Sequence, residues 1–239
     1  MILLFFDLEA SGLDVETNRP LEVGAILYST GQNRILESSG YLVKADVPIT
    51  AEITKLTGIT AAALEKFGYD SETALENLLD LIKLSDAIVG QNVIRFDKRV
   101  LENWARRHNM VVPNKLWIDT YVDLPSTVEP KSLKYLAADH GFLPSNSHAA
   151  LADCETVLRI IQQHPLDVIV ERAKDTTVVL KAEVSYETNK LAKDRRYRWN
   201  NPNKMWWKAF KSADVVKERQ EAPFNIEVVD IPLEALWHS

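Results

Sequence analysis

The chain has 239 residues, 46% of them hydrophobic and 26% charged, with a net charge of −6. That allows one large domain or a domain with a small companion, and the acidic balance argues against binding nucleic acid through overall basicity. No apolar run approaches the roughly 18 residues of a membrane span, no secretory leader pattern opens the chain, and a single cysteine, Cys154, excludes both a disulfide framework and a multi-cysteine zinc site, so a cytoplasmic protein with no membrane contact is expected.

The apolar residues 2–6 predict a buried strand. Residues 22–30 and 35–44 predict two more, joined by a turn at Gly31-Gln32-Asn33 to give an antiparallel start. Residues 49–60 predict a short helix closed at Gly58. Asp70 or Ser71 caps a helix through Leu84, with Leu75, Leu78, Leu79 and Ile82 on one face. Residues 86–92 predict a strand ending in a Gly-containing loop, followed by a helix over 96–108 with Val100, Leu101 and Trp104 as its apolar stripe. A short strand at 115–120 and helices at 132–141 and 148–164 complete this part, the last helix stopping at His164-Pro165. Three strands followed by alternating strands and helices predict α/β with a mixed sheet flanked by helices. The character then changes: a strand within 176–187, a short helix within 189–197 and a strand within 203–210 predict a small α+β module. The expected domains are 1–168 and 174–239.

The stretch FFDLEASGLD, residues 5–14, runs an apolar strand straight into Asp7 and Glu9. At i and i+2 on a strand both carboxylates share a face, where they repel unless they meet water or a cation. Alone, that reads as a solvated strand end turning at Gly12. Alone, Asp97 in NVIRFD (92–97) reads as a first-turn acid complementing a helix dipole. His148 and Asp153 in SHAALAD (147–153) lie five residues apart and converge only if His148 precedes the helix. Alone, they read as a capping residue and a surface acid.

Together and in this order, the Asp-x-Glu strand followed by Ser-Gly-Leu, the Asn-x-x-x-Phe-Asp helix start and the His-x-x-x-x-Asp helix start resemble the DEDDh family of 3′–5′ exonucleases over about residues 1–163. Residues 53–60 (ITKLTGIT) and 117–120 (WIDT) also look like family segments. The resemblance implies a ribonuclease-H-like fold, two Mg²⁺ ions with Mn²⁺ able to substitute, Asp7, Glu9, Asp97 and Asp153 as metal ligands, and His148 as general base. Two divalent ions balance four carboxylates and suit an in-line displacement at phosphorus. Substrate contacts are expected from Ala10, Gly12, Leu13, Asn92 and Phe96. Ala10 stands where the family often has Thr, and Arg95 where it often has a small or apolar residue. The implied substrate is the 3′ end of single-stranded DNA or RNA, with DNA slightly favoured, and the product a nucleoside 5′-monophosphate. An RNA-trimming enzyme and a catalytically silent nucleic-acid-binding or polymerase-associated module are the competing readings. A polymerase or another replication or repair protein is a candidate partner, and the sequence leaves monomer and homodimer open.

Residues 174–211 carry 10 Lys+Arg against 4 Asp+Glu, interleaved with Tyr197, Trp199, Trp206 and Trp207. Cations track phosphates and rings stack on bases in single-strand binding, so Arg196, Arg198, Trp199, Lys204, Trp206 and Trp207 are candidate nucleic-acid contacts. The competing reading is that the tryptophans form the core of a mini-domain poor in other large apolar residues. A module of about 60 residues is marginal alone, so packing against the larger domain or a partner is expected.

Overall fold

The computed structural model describes residues 1–124, 132–144 and 146–236, and divides into two compact units, Met1–Ala173 and Lys174–Ser239. The first is a five-stranded mixed sheet in the order β3-β2-β1-β4-β5. Its strands are β1 (Ile2–Ala10), β2 (Pro20–Ser29), β3 (Arg34–Leu42), β4 (Ala87–Gly90) and β5 (Leu116–Asp119). Strands β1, β2 and β3 pair antiparallel, whereas β4 and β5 join in parallel. The helices are α1 (Ala51–Thr57), α2 (Ala61–Phe67), α3 (Ser71–Leu84), α4 (Asp97–Arg107), α5 (Leu133–Asp139), α6 (Ala150–Ile161) and α7 (Leu166–Lys174). Of these, α2 and α7 are absent from the expected elements.

The central strand β1 sorts its residues between two cores by its two-residue period. Leu4, Phe6 and Leu8 join α3 and α4 through Leu75, Leu78, Ile82, Val100, Leu101 and Trp104. Leu3 and Phe5 join α6 and α7 through Val157, Ile161 and Ile169. Leu3, Leu4, Phe5 and Phe6 are all buried, each contributing roughly 1.5–3 kcal/mol of transfer free energy. The strand is longer than residues 2–6: it runs to Ala10, with a register shift between Glu9 and Ala10. Asp7 and Glu9 therefore lie inside the strand, toward its C-terminal end, Asp7 half-buried and Glu9 buried, on the odd-numbered face that looks toward α6.

The second unit is an antiparallel sheet in the order β7-β8-β6-β9, built from β6 (Thr177–Glu183), β7 (Arg198–Asn200), β8 (Met205–Lys211) and β9 (Asn225–Val229). Helices α8 (Asn189–Asp194) and α9 (Val215–Glu221) contribute Ala192 and Val215 to one face, with Leu180, Tyr197 and Phe210. On the other face Val179, Met205 and Trp207 pack with Leu233 and Leu236 of α10 (Leu233–Leu236). Trp207 is thus a core residue, only 5% exposed, and not a surface contact. Its alternation with Trp206 along β8 puts the two rings on opposite faces.

Candidate active site

Four segments of the first unit bring acids to one end of β1. The last β1–β4 pair is Phe5–Val89, so the Leu8 N–H lies beyond β4, and Asp97 Oδ1 accepts it at 2.9 Å. Asp97, first residue of α4 and 4% exposed, is thereby tied to the strand that carries Asp7 and Glu9.

The loop leading into α4 is clamped by Asp119 at the end of β5. Its carboxylate accepts from the N–H groups of Asn92 (2.8 Å), Ile94 (3.2 Å) and Tyr121 (2.9 Å). Asn92 sits at φ 56°, a left-handed conformation that Asn tolerates better than most residues. Burial pushes Asp119 up to about 6, against the three amide donors that hold it down.

Helix α6 approaches from the other face, and Gly24 of β2 sets how closely. A Cβ there would lie 2.3 Å from the Ala150 carbonyl carbon and oxygen and 2.5 Å from Leu151 N. His148 precedes the helix with φ 62°, and its backbone N–H donates to Asp153 Oδ2 at 3.2 Å. That turn lets residues five apart converge: one ligand atom from each of Glu9, His148 and Asp153 lies within 4.8 Å of the others. Glu9 is buried, Asp153 half-buried and His148 exposed.

The sequence pattern missed Glu22. It pairs with Glu9 across the β1–β2 ladder, and its Oε2 accepts from Ala150 N, the first residue of α6, at 3.1 Å. Five carboxylates thus share the site. Desolvation is the largest force on each, raising Asp7 and Asp97 well above the carboxylate range, Glu9 to about 7, and Asp153 and Glu22 upward. Mutual repulsion adds to it: Asp97, Asp153, Glu9 and Glu22 all raise Asp7. Backbone N–H groups of Leu8 and His148 pull Asp97 and Asp153 partly back. Hard oxygen donors that repel one another and share an imidazole fit a divalent cation.

The remaining expected contacts surround this cluster. Phe96 is partly buried against the α3–α4 core, and Ala10 is buried at 7% exposed. Beyond it the chain forms a fixed loop: Asn18 Nδ2 donates to the Gly12 carbonyl, and Asn103 Nδ2 of α4 donates to Val15 O at 2.9 Å. Leu13 projects from that loop, 90% exposed. In the second unit Arg196, Arg198, Trp199 and Lys204 are exposed, Trp206 is half-buried and Trp207 is core.

Residues 4–161 match the model of the exonuclease family RNase_T, and the chain belongs to that family. Among its curated relatives is the PolC-type DNA polymerase III of Mycoplasmopsis pulmonis, 26% identical over 235 residues, covering 86% of this chain and 16% of that one. The PolC-type enzyme of Thermotoga maritima is 27% identical over 158 residues, covering 64% of this chain and 11% of that one. Exonuclease I superposes with a TM-score of 0.61 at 19% identity, covering 76% of this chain and 48% of that one. E. coli exonuclease I in complex with a dA16 oligonucleotide gives 0.60 at 17%, with the same coverage. At such identities the likeness establishes the fold, a ribonuclease-H-like mixed sheet flanked by helices. The chain spans about a sixth or less of the PolC-type relatives and about half of exonuclease I. No helix among the described residues is long and apolar enough to cross a membrane.

Proposed function

We propose that the chain is a divalent-metal-dependent 3′–5′ exonuclease that releases nucleoside 5′-monophosphates from single-stranded ends. The observation that carries this is the gathering of Asp7, Glu9, Asp97 and Asp153 around the end of β1 with the exposed His148 within ligand distance of Glu9 and Asp153. The four acids are the proposed ligands of two Mg²⁺ or Mn²⁺ ions. When bound, such ions supply charge for the attacking and leaving oxygens of an in-line displacement and acidify a bound water. The imidazole of His148, at the solvent side, takes the proton from the attacking water as its oxygen bonds to phosphorus. The P–O3′ bond breaks, the 3′ oxygen leaves on the shortened strand and takes up a proton from solvent to become its new 3′ hydroxyl, and His148 passes its own proton to solvent. Asp119 and Glu22 act one step back, by holding the loop before Asp97 and the start of α6. The exposed Leu13 on its tied-down loop, with Gly12, Asn92 and Phe96, is the proposed contact set for the terminal nucleotide.

DNA is the favoured polymer, since the curated relatives are DNA polymerases and an exonuclease I neighbour holds a dA16 oligonucleotide. The relatives also make a polymerase a reasonable partner. The test is digestion of matched 5′-labelled single-stranded DNA and RNA with Mg²⁺, with Mn²⁺ and with EDTA, beside Asp7→Ala. A metal-dependent ladder shortening from the 3′ end, faster on DNA and lost in the variant, is expected. Salt-sensitive binding without any ladder supports the catalytically silent module instead, and a faster RNA ladder supports the trimming enzyme.

A further inference from the structure

The second unit sorts its cations and rings into two groups. Arg195 is committed to the fold: Nε and Nη2 reach Glu218 at 3.0 and 2.6 Å, and Glu218 is 6% exposed. Tyr197 and Trp207 are core, and Lys208 Nζ donates to the Arg195 carbonyl at 3.1 Å. A different set stands at the edge of the sheet. Strand β7 is one of the sheet's two edge strands, and on it Trp199 is 43% exposed. One side of its ring leans on the half-buried Trp206 across the ladder, centroids 5.8 Å apart at 57°. The ring is thus held in place while much of it meets water, at an edge where an extended chain can lie. Arg196 and Arg198 precede it and Lys204 closes the β7–β8 turn, all three exposed. The unit carries 12 Lys+Arg against 10 Asp+Glu, whereas the first unit carries 16 against 24.

We propose that this edge is a second contact for single-stranded polynucleotide, with Trp199 stacking on a base and Arg196, Arg198 and Lys204 neutralising neighbouring phosphates. Base–aromatic stacking needs one open ring face and no hydrogen-bond readout, and exposed cations before and after the ring in the chain are the groups that track a phosphate backbone. Charge selects the partner: an acidic polymer is drawn to the unit with a positive balance and repelled by the acidic remainder except where metal is bound. The site would hold strand upstream of the end being trimmed. That role rests on the nuclease reading, whereas binding itself does not.

The experiment uses the full chain in EDTA, where no hydrolysis intervenes. Anisotropy of labelled oligothymidylate and oligouridylate of about 20 nucleotides is followed against salt. Trp199→Ala is expected to weaken binding roughly tenfold and Trp199→Phe to restore most of it. Arg196→Ala with Lys204→Ala is expected to weaken binding and flatten the log–log salt slope by about 1.4, two phosphates' worth. Both polymers binding alike points to stacking and charge alone, and preference for one names the physiological strand. Binding unchanged in Trp199→Ala and an unchanged salt slope in the Arg196/Lys204 variant, which alters exposed positions and keeps the fold, overturn the proposal. Hydrolysis of a dinucleotide with Mn²⁺ separates the two readings. Trp199-dependent binding without hydrolysis leaves this site standing and removes the nuclease. Hydrolysis with Trp199-independent binding does the reverse.

Discussion

At the scale of single residues the site is dominated by repulsion. Glu9 is raised to about 7, and Asp7, Asp97, Asp153 and Glu22 are raised as well. In the unfolded chain such groups titrate near ~4.3, so between that value and about 7 the folded protein holds more protons than the unfolded one. Stability then falls as pH rises through this window. Glu9 alone accounts for on the order of 3 kcal/mol before counterions screen it. Asp119, raised to about 6, acts in the same sense. The lowered Asp46 and Asp175 act below the window, and His164, lowered by burial and then His140, acts oppositely below its ordinary value near ~6.5. The metal-free protein is therefore expected to melt several degrees lower at pH 8 than at pH 6, with millimolar Mn²⁺ closing the gap. Glu9→Gln should flatten the metal-free profile. A Tm that rises from pH 6 to pH 8 in EDTA would contradict the arrangement. The two-residue period of a strand showed only that Asp7 and Glu9 share a face; their reading as metal ligands came from the joint order of motifs that resembles the DEDDh family. Glu22 and Asp119 were not legible, since one acid in or after an apolar strand reads as solvent-facing until its neighbours are known.

At the scale of elements, what matters is how α6 is seated. Its first turn carries Asp153 and follows His148, and its approach depends on the missing side chain at Gly24. Gly24→Ala must push backbone against backbone at 2.3 Å, which no rotamer can relieve. It is expected to cost about 1–3 kcal/mol of stability and to cut kcat at saturating metal by more than tenfold, since α6 shifts away from Glu9. Gly12→Ala and Gly31→Ala, with open space at both positions, serve as controls for stability. If Gly24→Ala keeps full kcat and Tm, α6 is not seated there. The longer elements were readable from periodicity and caps: Asp70 caps α3 and Gly58 ends α1 in a left-handed conformation, as expected. The three-residue β7, the half-exposed β9 and the charged α9 were not, because segments so short carry no full period and owe their form to the sheet they join.

At the scale of the whole molecule the chain holds two units with separate cores. The charge shift and loss of pattern after residue 165 marked the change in the sequence. The identity of the second unit's core was less legible, because a tryptophan beside cations serves packing and stacking equally well. That unit is thin, with two small apolar clusters either side of one four-stranded sheet, and a unit of about 60 residues buries only about 60% of the surface its unfolded chain exposes. The larger unit has seven helices among its described residues and two deep clusters. Their spectroscopic signals differ. Among the described residues Trp199, Trp206 and Trp207 belong to the second unit, and Trp104 and Trp117 to the first. Tryptophan emission therefore reports mainly the small unit, and far-UV circular dichroism mainly the large one. On heating, the emission midpoint is expected several degrees below the dichroism midpoint, the signature of unfolding that is not two-state. Single-stranded oligonucleotide in EDTA should raise the emission midpoint alone, because a ligand stabilises the unit that binds it. Superimposable transitions would mean that the units fold as one, and a rise confined to the dichroism signal would place the strand on the first unit instead.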